Sequence, residues 1–417
     1  MSSRLPIELI EHSICFLYGD IATLATCSLV CHDLLPVCRS LLWRDLKISM
    51  TSDGKPKDSF LFSRMQQILA LNPDIGLYVR SSSFDFYHSL TTPTDIAVCF
   101  CKSFLSLRSL TFCNINAIDI PYLLTAIDCI PSLEEFHVQD IIEDGHGSWG
   151  AVAHNQLDDV LLPRLAKVSM IDGQMPRTVY QQVLSFLQSS RHSSSLTSVD
   201  LRIGLAGDSD GNTDKWPGVP PFAPQLDHFG IILNDITQGG AINVEGRSHM
   251  DQVFAELPRA NALRSLCIQY DCLAYFFLRE YISATNADYA FSGAAAIFPY
   301  YLDKLSDLLS SPQAPPFPRL ERLSLVFSQP LTWLLGLKAT FERLAQAILG
   351  EYNSGERRYP RFVRLEVRIV IVAMTRVLDG DKGVERALER FEADKGKFVQ
   401  MVADWARAGV DVHVSVV

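Results

Sequence analysis

The chain has 417 residues, of which 48% are apolar and 20% charged, and its formal net charge is −10. This apolar content is enough for a sizeable core and excludes general disorder. The mild acidity argues against nucleic acid as the main partner, because phosphate binding needs a concentrated basic face. The nearest approach to such a face is a group of arginines at residues 357–364, which lies among glutamates.

Neither export nor membrane insertion is predicted. Residues 1–12 lack the apolar core of a signal peptide, because Glu8 and Glu11 come early. The apolar stretches 331–349 and 362–374 are interrupted by charges, and neither reaches the roughly 20 apolar residues that span a bilayer. Without a secretory signal, the ten cysteines are expected to remain reduced thiols. We therefore expect a soluble protein of the cytoplasm or nucleus.

The first predicted helix begins at Pro6, because a proline in the first turn loses no hydrogen bond. Gly19 is expected to end this helix, and Asp20 is expected to cap the next one. Apolar residues at three- and four-residue spacing give the helix one buried stripe, which consists of Ile7, Ile10, Ile14 and Leu17.

The second predicted helix has Leu24, Cys27 and Cys31 on one face, and Leu29 and Val30 are expected to widen that face. A proline, Pro36, is expected to break or kink the helix that follows. The block then closes on four large apolar residues, which are Leu41, Leu42, Trp43 and Leu46.

The cysteines of this block raise the possibility of a zinc site. The candidate ligands are Cys27, Cys31 and His32, with Cys15 or Cys38. Structural zinc sites usually pair two cysteines in a loop and repeat the pair downstream. Here the cysteines lie in an apolar helical pattern and no second pair follows. Because a buried free cysteine behaves as a small hydrophobe, we favour a role in core packing.

Three short motifs follow one another in this block: LPIELI from Leu5, LATCSLVC from Leu24 and LWRDL from Leu42. Together they resemble the F-box, a three-helix module that docks onto the Skp-family adaptor of SCF (Skp–Cullin–F-box) ubiquitin ligases. His32 and Asp33 depart from the family pattern, in which a basic or aromatic residue often follows the last cysteine. The chain as a whole also resembles the divergent fungal F-box families.

The resemblance implies an adaptor interface among the apolar residues of the block: Leu5, Pro6, Ile7, Leu9, Ile10, Ile14, Leu24, Cys27, Leu29, Val30, Leu42 and Trp43. Some of them must instead form the module's own core, and the sequence does not separate the two sets. A module of about 40 residues cannot bury all its apolar faces alone. Its neighbour is either the rest of this chain, which the helices would cap, or another protein that binds them in a groove.

One spacing, apolar-x2-apolar-x-apolar, then returns eight times. The copies begin at Leu107, Leu133, Leu165, Leu196, Leu226, Leu263, Leu320 and Phe362. The last three residues of each copy alternate like a strand with one buried face. Helix-like segments lie between copies, at residues 94–105, 120–130, 178–188, 250–257 and 341–349. A repeating unit of strand, loop, helix and connecting segment predicts a solenoid whose strands form a parallel sheet.

This spacing resembles the leucine-rich repeat pattern LxxLxLxxN. The family's asparagine position falls on Ile115 and Ile141 in the first two copies, and the copies lie between 26 and 57 residues apart. We therefore predict an α/β chain: a three-helix F-box at residues 1–49, then an irregular leucine-rich-repeat-like solenoid with parallel strands at residues 50–417. A different α/β arrangement of the second region is the alternative.

Long loops interrupt the repeats at residues 143–156, 204–225 and 310–318. Loops of this length tend to be functional or mobile. Trp149 and Trp216 lie in the first two. Each tryptophan could be a binding anchor or could pack back onto the rim of the solenoid.

The C-terminal residues 382–408 predict a long amphipathic helix. Its apolar side consists of Val384, Leu388, Phe391, Phe398, Val402 and Trp405. Charge pairs at i,i+3 spacing, Arg386–Glu389 and Glu392–Lys395, support it. With the strand-like residues 410–416, this segment is expected to cap the last repeat. A partner-binding helix is the alternative.

No catalytic signature is present. The chain has no phosphate-binding loop, no His-Glu-x-x-His pair and no nucleophile elbow. Asp144, His146 and His154 could hold a metal, but no pattern fixes their geometry. Asp208 and Asp210 do not continue into a calcium loop, because the closing glutamate is missing.

These features predict the substrate-recognition subunit of an SCF-type ubiquitin ligase, without cofactor, metal or catalysis of its own. The F-box would bind a Skp-family adaptor and through it a cullin, and the solenoid would bind a protein substrate that the sequence does not identify. The acidic balance favours a basic substrate. One alternative is a protein-binding scaffold outside any ligase. Another is an enzyme, which no sequence motif supports.

Overall fold

A computed structural model describes residues 7–30, 32–49, 58–86, 103–127, 130–141, 165–188, 195–206, 225–234, 254–255, 257–271, 300–311, 315–327, 334–352, 356–369 and 372–416. They fall into two units, Met1–Val168 and Ser169–Val417. Leu5, Pro6, Cys31, Trp149 and Trp216 lie outside the described residues, as do the metal candidates of the first long loop and the aspartates at 208–214. In the described part of the chain, no helix combines the length and the apolar character needed to cross a membrane.

The first unit combines helices with parallel strands. Its helices are α1 (Ile7–Cys15), α2 (Ile21–Val30), α3 (Leu35–Leu42), α4 (Asp58–Leu71), α5 (Ile75–Tyr78) and α6 (Ile120–Ile127). Its strands are β1 (Asp45–Ser49), β2 (Ser81–Asp85), β3 (Ser109–Cys113) and β4 (Glu135–Ile141), and β5 (Lys167–Pro176) begins at its end. Strands β1 to β4 pair in parallel and in chain order, as stacked repeats do.

The apolar positions of successive repeats stack in register. Leu110 of β3 lies opposite Phe136 of β4, and Phe112 lies opposite Val138. The ring of Phe112 is 5.7 Å from that of Phe84 and 6.2 Å from that of Phe136. All five side chains are buried. Each buried phenylalanine contributes about 1.5–3 kcal/mol, so the repeated spacing generates a continuous core on one side of the sheet.

The sequence does not predict β1 or β2, yet both follow the same apolar spacing. In β2 a serine, Ser82, occupies the middle apolar position and is buried beside Phe84. In β1 the spacing falls at the end of the F-box-like block, where the residues concerned are Trp43, Leu46 and Ile48. The last residues of that block therefore belong to the first strand of the sheet.

The second unit continues the same alternation. Its strands are β6 (Ser198–Ala206), β7 (His228–Asn234), β8 (Ser265–Asp271), β9 (Arg322–Phe327), the short hairpin β10 (Glu351–Tyr352) and β11 (Glu356–Arg357), β12 (Arg364–Ile369) and β13 (Asp411–Val416). Its helices are α7 (Arg177–Gln188), α8 (Lys338–Leu349), α9 (Val372–Met401) and α10 (Ala403–Arg407), and residues 300–309 are also helical. The strand order is β6-β7-β8-β9-β12-β13, with every neighbouring pair parallel.

Each of the eight predicted strands forms, and the prediction of an α/β chain with parallel, sequentially stacked strands is confirmed. The predicted helices at residues 120–130, 178–188 and 341–349 form as α6, α7 and α8. The segment 94–105 lies almost wholly outside the described residues. Helix α4 precedes the first of the eight copies, and the helix at 300–309 lies between the copies that begin at Leu263 and Leu320; the sequence analysis assigns neither segment to an element.

The predicted C-terminal helix and strand form, although helix α9 begins ten residues earlier, at Val372. The Phe398 ring packs edge-on against Phe341 at 5.3 Å, and Trp405 of α10 lies 5.9 Å from Phe362. The following strand β13 pairs with β12. One residue of the predicted apolar side, Leu388, is exposed instead. The cap thus covers the last repeat with buried aromatic side chains.

Candidate binding surfaces

The N-terminal helices have a small core of their own. Ile14, Leu24 and Cys38 are its buried residues. Partly buried apolar side chains surround them: Ile10, Leu17, Cys27, Leu34, Val37, Leu41 and Leu42. The expected packing of Cys27 and Cys38 as small hydrophobes is confirmed. Among the residues that the structure describes, no group of three His, Cys, Asp or Glu side chains could hold a metal ion.

The turn between α1 and α2 is built as predicted. Gly19 has a φ of 95°, a left-handed backbone conformation that glycine adopts without steric cost. Asp20 then caps α2: its Oδ1 accepts the backbone N–H of Thr23 at 3.0 Å, and its Oδ2 accepts the Thr23 hydroxyl at 2.7 Å. The hydrogen bond from the Thr23 side chain holds the pKa of Asp20 below its ordinary value.

Two details of the predicted helices are wrong. Pro36 does not break the third helix, because it lies in the first turn of α3, where a missing N–H costs nothing. Leu29 and Val30 do not widen the core face of α2. Five residues turn a helix by about 140° beyond one full turn, so Leu29 points away from the side on which Leu24 is buried. The exposed fractions are 86% for Leu29 and 71% for Val30.

The structure places the predicted adaptor residues in two groups. Five contribute to the module's own core: Ile10, Ile14, Leu24, Cys27 and Leu42. Three are exposed: Leu9, Leu29 and Val30. Trp43 is half-buried at the end of α3 and Ile7 is the first residue of α1. The helices therefore bring together a core set and leave an apolar set in solvent.

Further apolar residues, which the sequence analysis did not select, extend the exposed set. Ile21 and Leu29 lie eight residues apart on one face of α2, and both are exposed. Leu9 is an exposed residue of α1, and Phe16, the first residue after that helix, is exposed as well; the His12 ring packs edge-on against Phe16 at 5.2 Å. We call Leu9, Phe16, Ile21, Leu29 and Val30 the exposed apolar set. The sequence signal for these residues is the presence of large apolar side chains at helical positions outside the buried stripe.

A second surface is the polar side of the sheet in the second unit. In each strand the residues that alternate with the core positions point to this side. The register aligns Asp200, Gly230, Cys267, Ser324, Glu366 and His413 across the six strands. The next row contains Ile232, Gln269, Val326, Arg368 and Ser415 of the last five of these strands. Repeat stacking therefore aligns polar residues from distant parts of the chain.

Glu366 is the most buried charged residue of this side, with 4% of its side chain exposed. Three arginines surround it. Arg364 Nε lies 2.7 Å from Glu366 Oε1, Arg368 Nη2 lies 2.6 Å from Oε2, and Arg322 Nε lies 3.9 Å from Oε1. Burial would raise the pKa of Glu366, but the hydrogen bond from Arg368 and the charges of the three arginines lower it below its ordinary value. Glu366 therefore stays ionised at neutral pH.

A second ion pair lies on the same side of the sheet. The Arg202 Nε donates to Asp200 Oδ1 at 2.8 Å, and its Nη1 donates to Gln269 Oε1 at 3.1 Å. Gly230 leaves the room that Asp200 needs, because a Cβ at this position would lie 2.1 Å from Asp200 Oδ1. Arg202 thus reaches across β7 and links β6 to β8.

The polar side of the first unit carries no comparable arginine among its described strand residues. At the ends of β2 and β3, the Asn114 amide donates to Asp85 Oδ1 at 2.7 Å. Asn114 and Asp140 both have a left-handed backbone, with φ of 56° and 54°. Burial and the charge of Asp85 raise the pKa of Asp140. The strands of this unit therefore end in amide and carboxylate groups.

Comparisons with known proteins leave the chain without an assigned family. No protein-family model matches it, and no curated protein matches it in sequence. Among solved structures, a leucine-rich repeat-containing protein from Legionella pneumophila is 12% identical, with a TM-score of 0.29 over 84% of this chain and 98% of that one. A TM-score this low carries no argument, so the fold assignment depends on strand order and register.

Proposed function

We propose that the chain is a non-catalytic protein-binding scaffold, and specifically the substrate-recognition subunit of an SCF-type ubiquitin ligase. Its N-terminal helices would bind a Skp-family adaptor, which connects to a cullin, and its repeats would bind the substrate. Ubiquitin transfer would then be carried out by the RING and E2 partners. The proposed receptor therefore needs residues that position two partners and no nucleophile of its own.

The observation that supports this proposal most directly is the exposed apolar set of α1 and α2. The module already has a core of its own around Leu24, so these side chains are not needed to complete it. Burying a leucine or valine side chain contributes about 1.5–3 kcal/mol. A helix that leaves such residues in solvent gains this free energy when a partner's groove covers them. Leu9, Leu29 and Val30 belong to the F-box-like motifs, and that resemblance is the reason we propose a Skp-family adaptor as the partner.

Co-expression with a Skp-family adaptor and a cullin, followed by affinity purification, tests the proposal. The variant is Leu29→Ser with Val30→Ser, which changes two exposed side chains and leaves the core around Leu24 intact. We expect adaptor binding to weaken by about 3 kcal/mol, on the order of a hundredfold. The matched control is Leu71→Ser, an equally exposed leucine at the end of α4, which should bind like wild type.

The possible outcomes separate the proposal from its alternatives. If wild type and the Leu71 control retain adaptor and cullin while the double variant loses both, the receptor role is supported. Retention of the adaptor without cullin would favour a scaffold outside any ligase. If folded wild-type protein binds no adaptor, the helices serve as a cap or bind another partner, and the ligase proposal is wrong.

A further inference from the structure

Three arginines form a cluster on the polar side of the second unit's sheet. Arg322 of β9 and Arg364 of β12 are paired neighbours, and Arg368 lies on the same side of β12. They surround the buried Glu366, and between a third and a half of each arginine side chain is exposed. We call Arg322, Arg364 and Arg368 the arginine cluster. Their shared carboxylate is buried, so the charge that this part of the sheet presents to solvent is positive.

The arginine cluster has more hydrogen-bonding capacity than Glu366 can use. Three guanidinium groups carry far more N–H donors than the two oxygens of one carboxylate can accept. Two of the arginines approach Glu366 through Nε. Asp411, an exposed residue of β13, is a second acidic group near them, with its Oδ2 3.9 Å from Arg364 Nε. Donors therefore remain for a ligand that approaches from solvent.

The buried carboxylate also fixes the cluster in place. An arginine side chain that is free in solvent loses conformational entropy when it binds a ligand. Arg364 and Arg368 have already lost much of it, because each makes a short contact with Glu366. Planar guanidinium groups held in this way recognise carboxylates by paired N–H···O bonds. Adjacent strands lie about 4.8 Å apart, so Arg322 and Arg364 can engage two carboxylates that lie on the same side of one extended segment, at alternate positions.

We infer that the arginine cluster binds an acidic peptide segment of a protein partner through its Asp or Glu carboxylates. The inference deepens the proposed function, because it names the chemistry of the substrate. The net charge of −10 favours a basic substrate, but charges farther away than about 8–10 Å are screened at physiological salt. The local charge of the contact surface therefore determines which charge a bound peptide must carry, and the local charge at the arginine cluster is positive.

The test measures binding of the full-length protein to a library of short peptides that carry a fixed central Glu-x-Glu pattern, whose two glutamates lie on one side of an extended chain. The same library with Gln-x-Gln or Lys-x-Lys at the centre, and a single-stranded RNA, are measured beside it. We expect the glutamate library to bind at least tenfold more tightly than the other probes, and to weaken as salt is raised.

Two variants test the site itself. Arg322→Gln removes the arginine with the longest contact to Glu366, and should weaken glutamate-peptide binding about tenfold. A triple variant, Arg364→Gln with Glu366→Gln and Arg368→Gln, removes the other two guanidiniums without leaving Glu366 charged and unpaired, and should abolish the preference for acidic peptides. Arg407→Gln is the control, since it removes an exposed arginine of α10 that pairs with Asp404.

Equal binding of all three peptide libraries, or equal loss in the Arg407 control, would overturn the inference. Tighter binding of the RNA than of any peptide would also overturn it, because nucleic acid would then be the ligand of this surface. Adaptor capture by the N-terminal helices is measured separately. A protein that captures adaptor but ignores acidic peptides would leave the proposed function standing and refute this inference alone.

Discussion

Replacing Glu366 by glutamine tests how strongly the second unit's sheet depends on its buried carboxylate. Glutamine has nearly the same shape but no charge, so the substitution opens no cavity. It weakens two short contacts, at 2.7 Å and 2.6 Å, and removes the charged carboxylate that Arg322, Arg364 and Arg368 share. The Arg368 contact is a hydrogen bond between charged groups, and such a bond contributes about 1.5–3 kcal/mol. Because these arginines are partly exposed and water compensates some of the loss, we expect about 2–3 kcal/mol of destabilisation.

The pH dependence of this effect identifies its cause. Folding lowers the pKa of Glu366 below its ordinary value of 4.5, so the folded state favours the ionised form. The carboxylate's stabilisation is fully present above about pH 5 and is lost as the pH falls through the lower, folded pKa. The difference in unfolding free energy between wild type and Glu366→Gln should therefore shrink in acid.

Hydrogen exchange of the β9 and β12 amides is the suitable assay, because it reports local opening and does not require the two units to unfold together. Glu389→Gln, which changes an exposed glutamate of α9, should alter protection by less than about 0.5 kcal/mol. A loss below about 1 kcal/mol for Glu366→Gln, or a loss that does not change with pH, would refute the argument that its charge stabilises these strands.

Two further predictions concern the second unit. Gly230→Ala should destabilise it by about 1–3 kcal/mol, because the new Cβ would lie 2.1 Å from the Asp200 carboxylate. Gly396→Ala, where no atom lies within 4 Å of the new Cβ, should instead stabilise helix α9 by about 0.5–1 kcal/mol. The midpoint of thermal unfolding should therefore shift in opposite directions in the two variants. Tyr359→Phe removes a buried hydroxyl that donates to the Leu309 carbonyl oxygen at 3.1 Å, and chemical denaturation should show a loss of about 1 kcal/mol; unchanged stability would mean that another donor replaces the hydroxyl.

Local spacing was sufficient to predict most of the sheet. The pattern from Leu107 to Phe362 predicts eight strands, because each copy must bury the same alternating side chains against its neighbours. β2 escapes prediction because the buried Ser82 takes an apolar position in it. β1 escapes because its leucine and isoleucine also fit the end of an F-box-like block. In β1 the same residues fit both the strand spacing and the F-box-like motif, and in β2 one polar residue interrupts the spacing.

The sequence alone also determined the turn at Gly19 and Asp20, and it named the apolar residues of the N-terminal helices. Tertiary structure decided which of those residues are used internally: Leu24 is buried, and Leu29 is exposed because helical geometry places it on another side. The same holds for the second unit's sheet. Arg322, Arg364 and Glu366 appear in the sequence as ordinary surface charges, and only parallel pairing of β9 with β12 brings Arg322 to the other two. Periodicity is a local property that a sequence displays directly, whereas the register between distant strands depends on how the repeats stack.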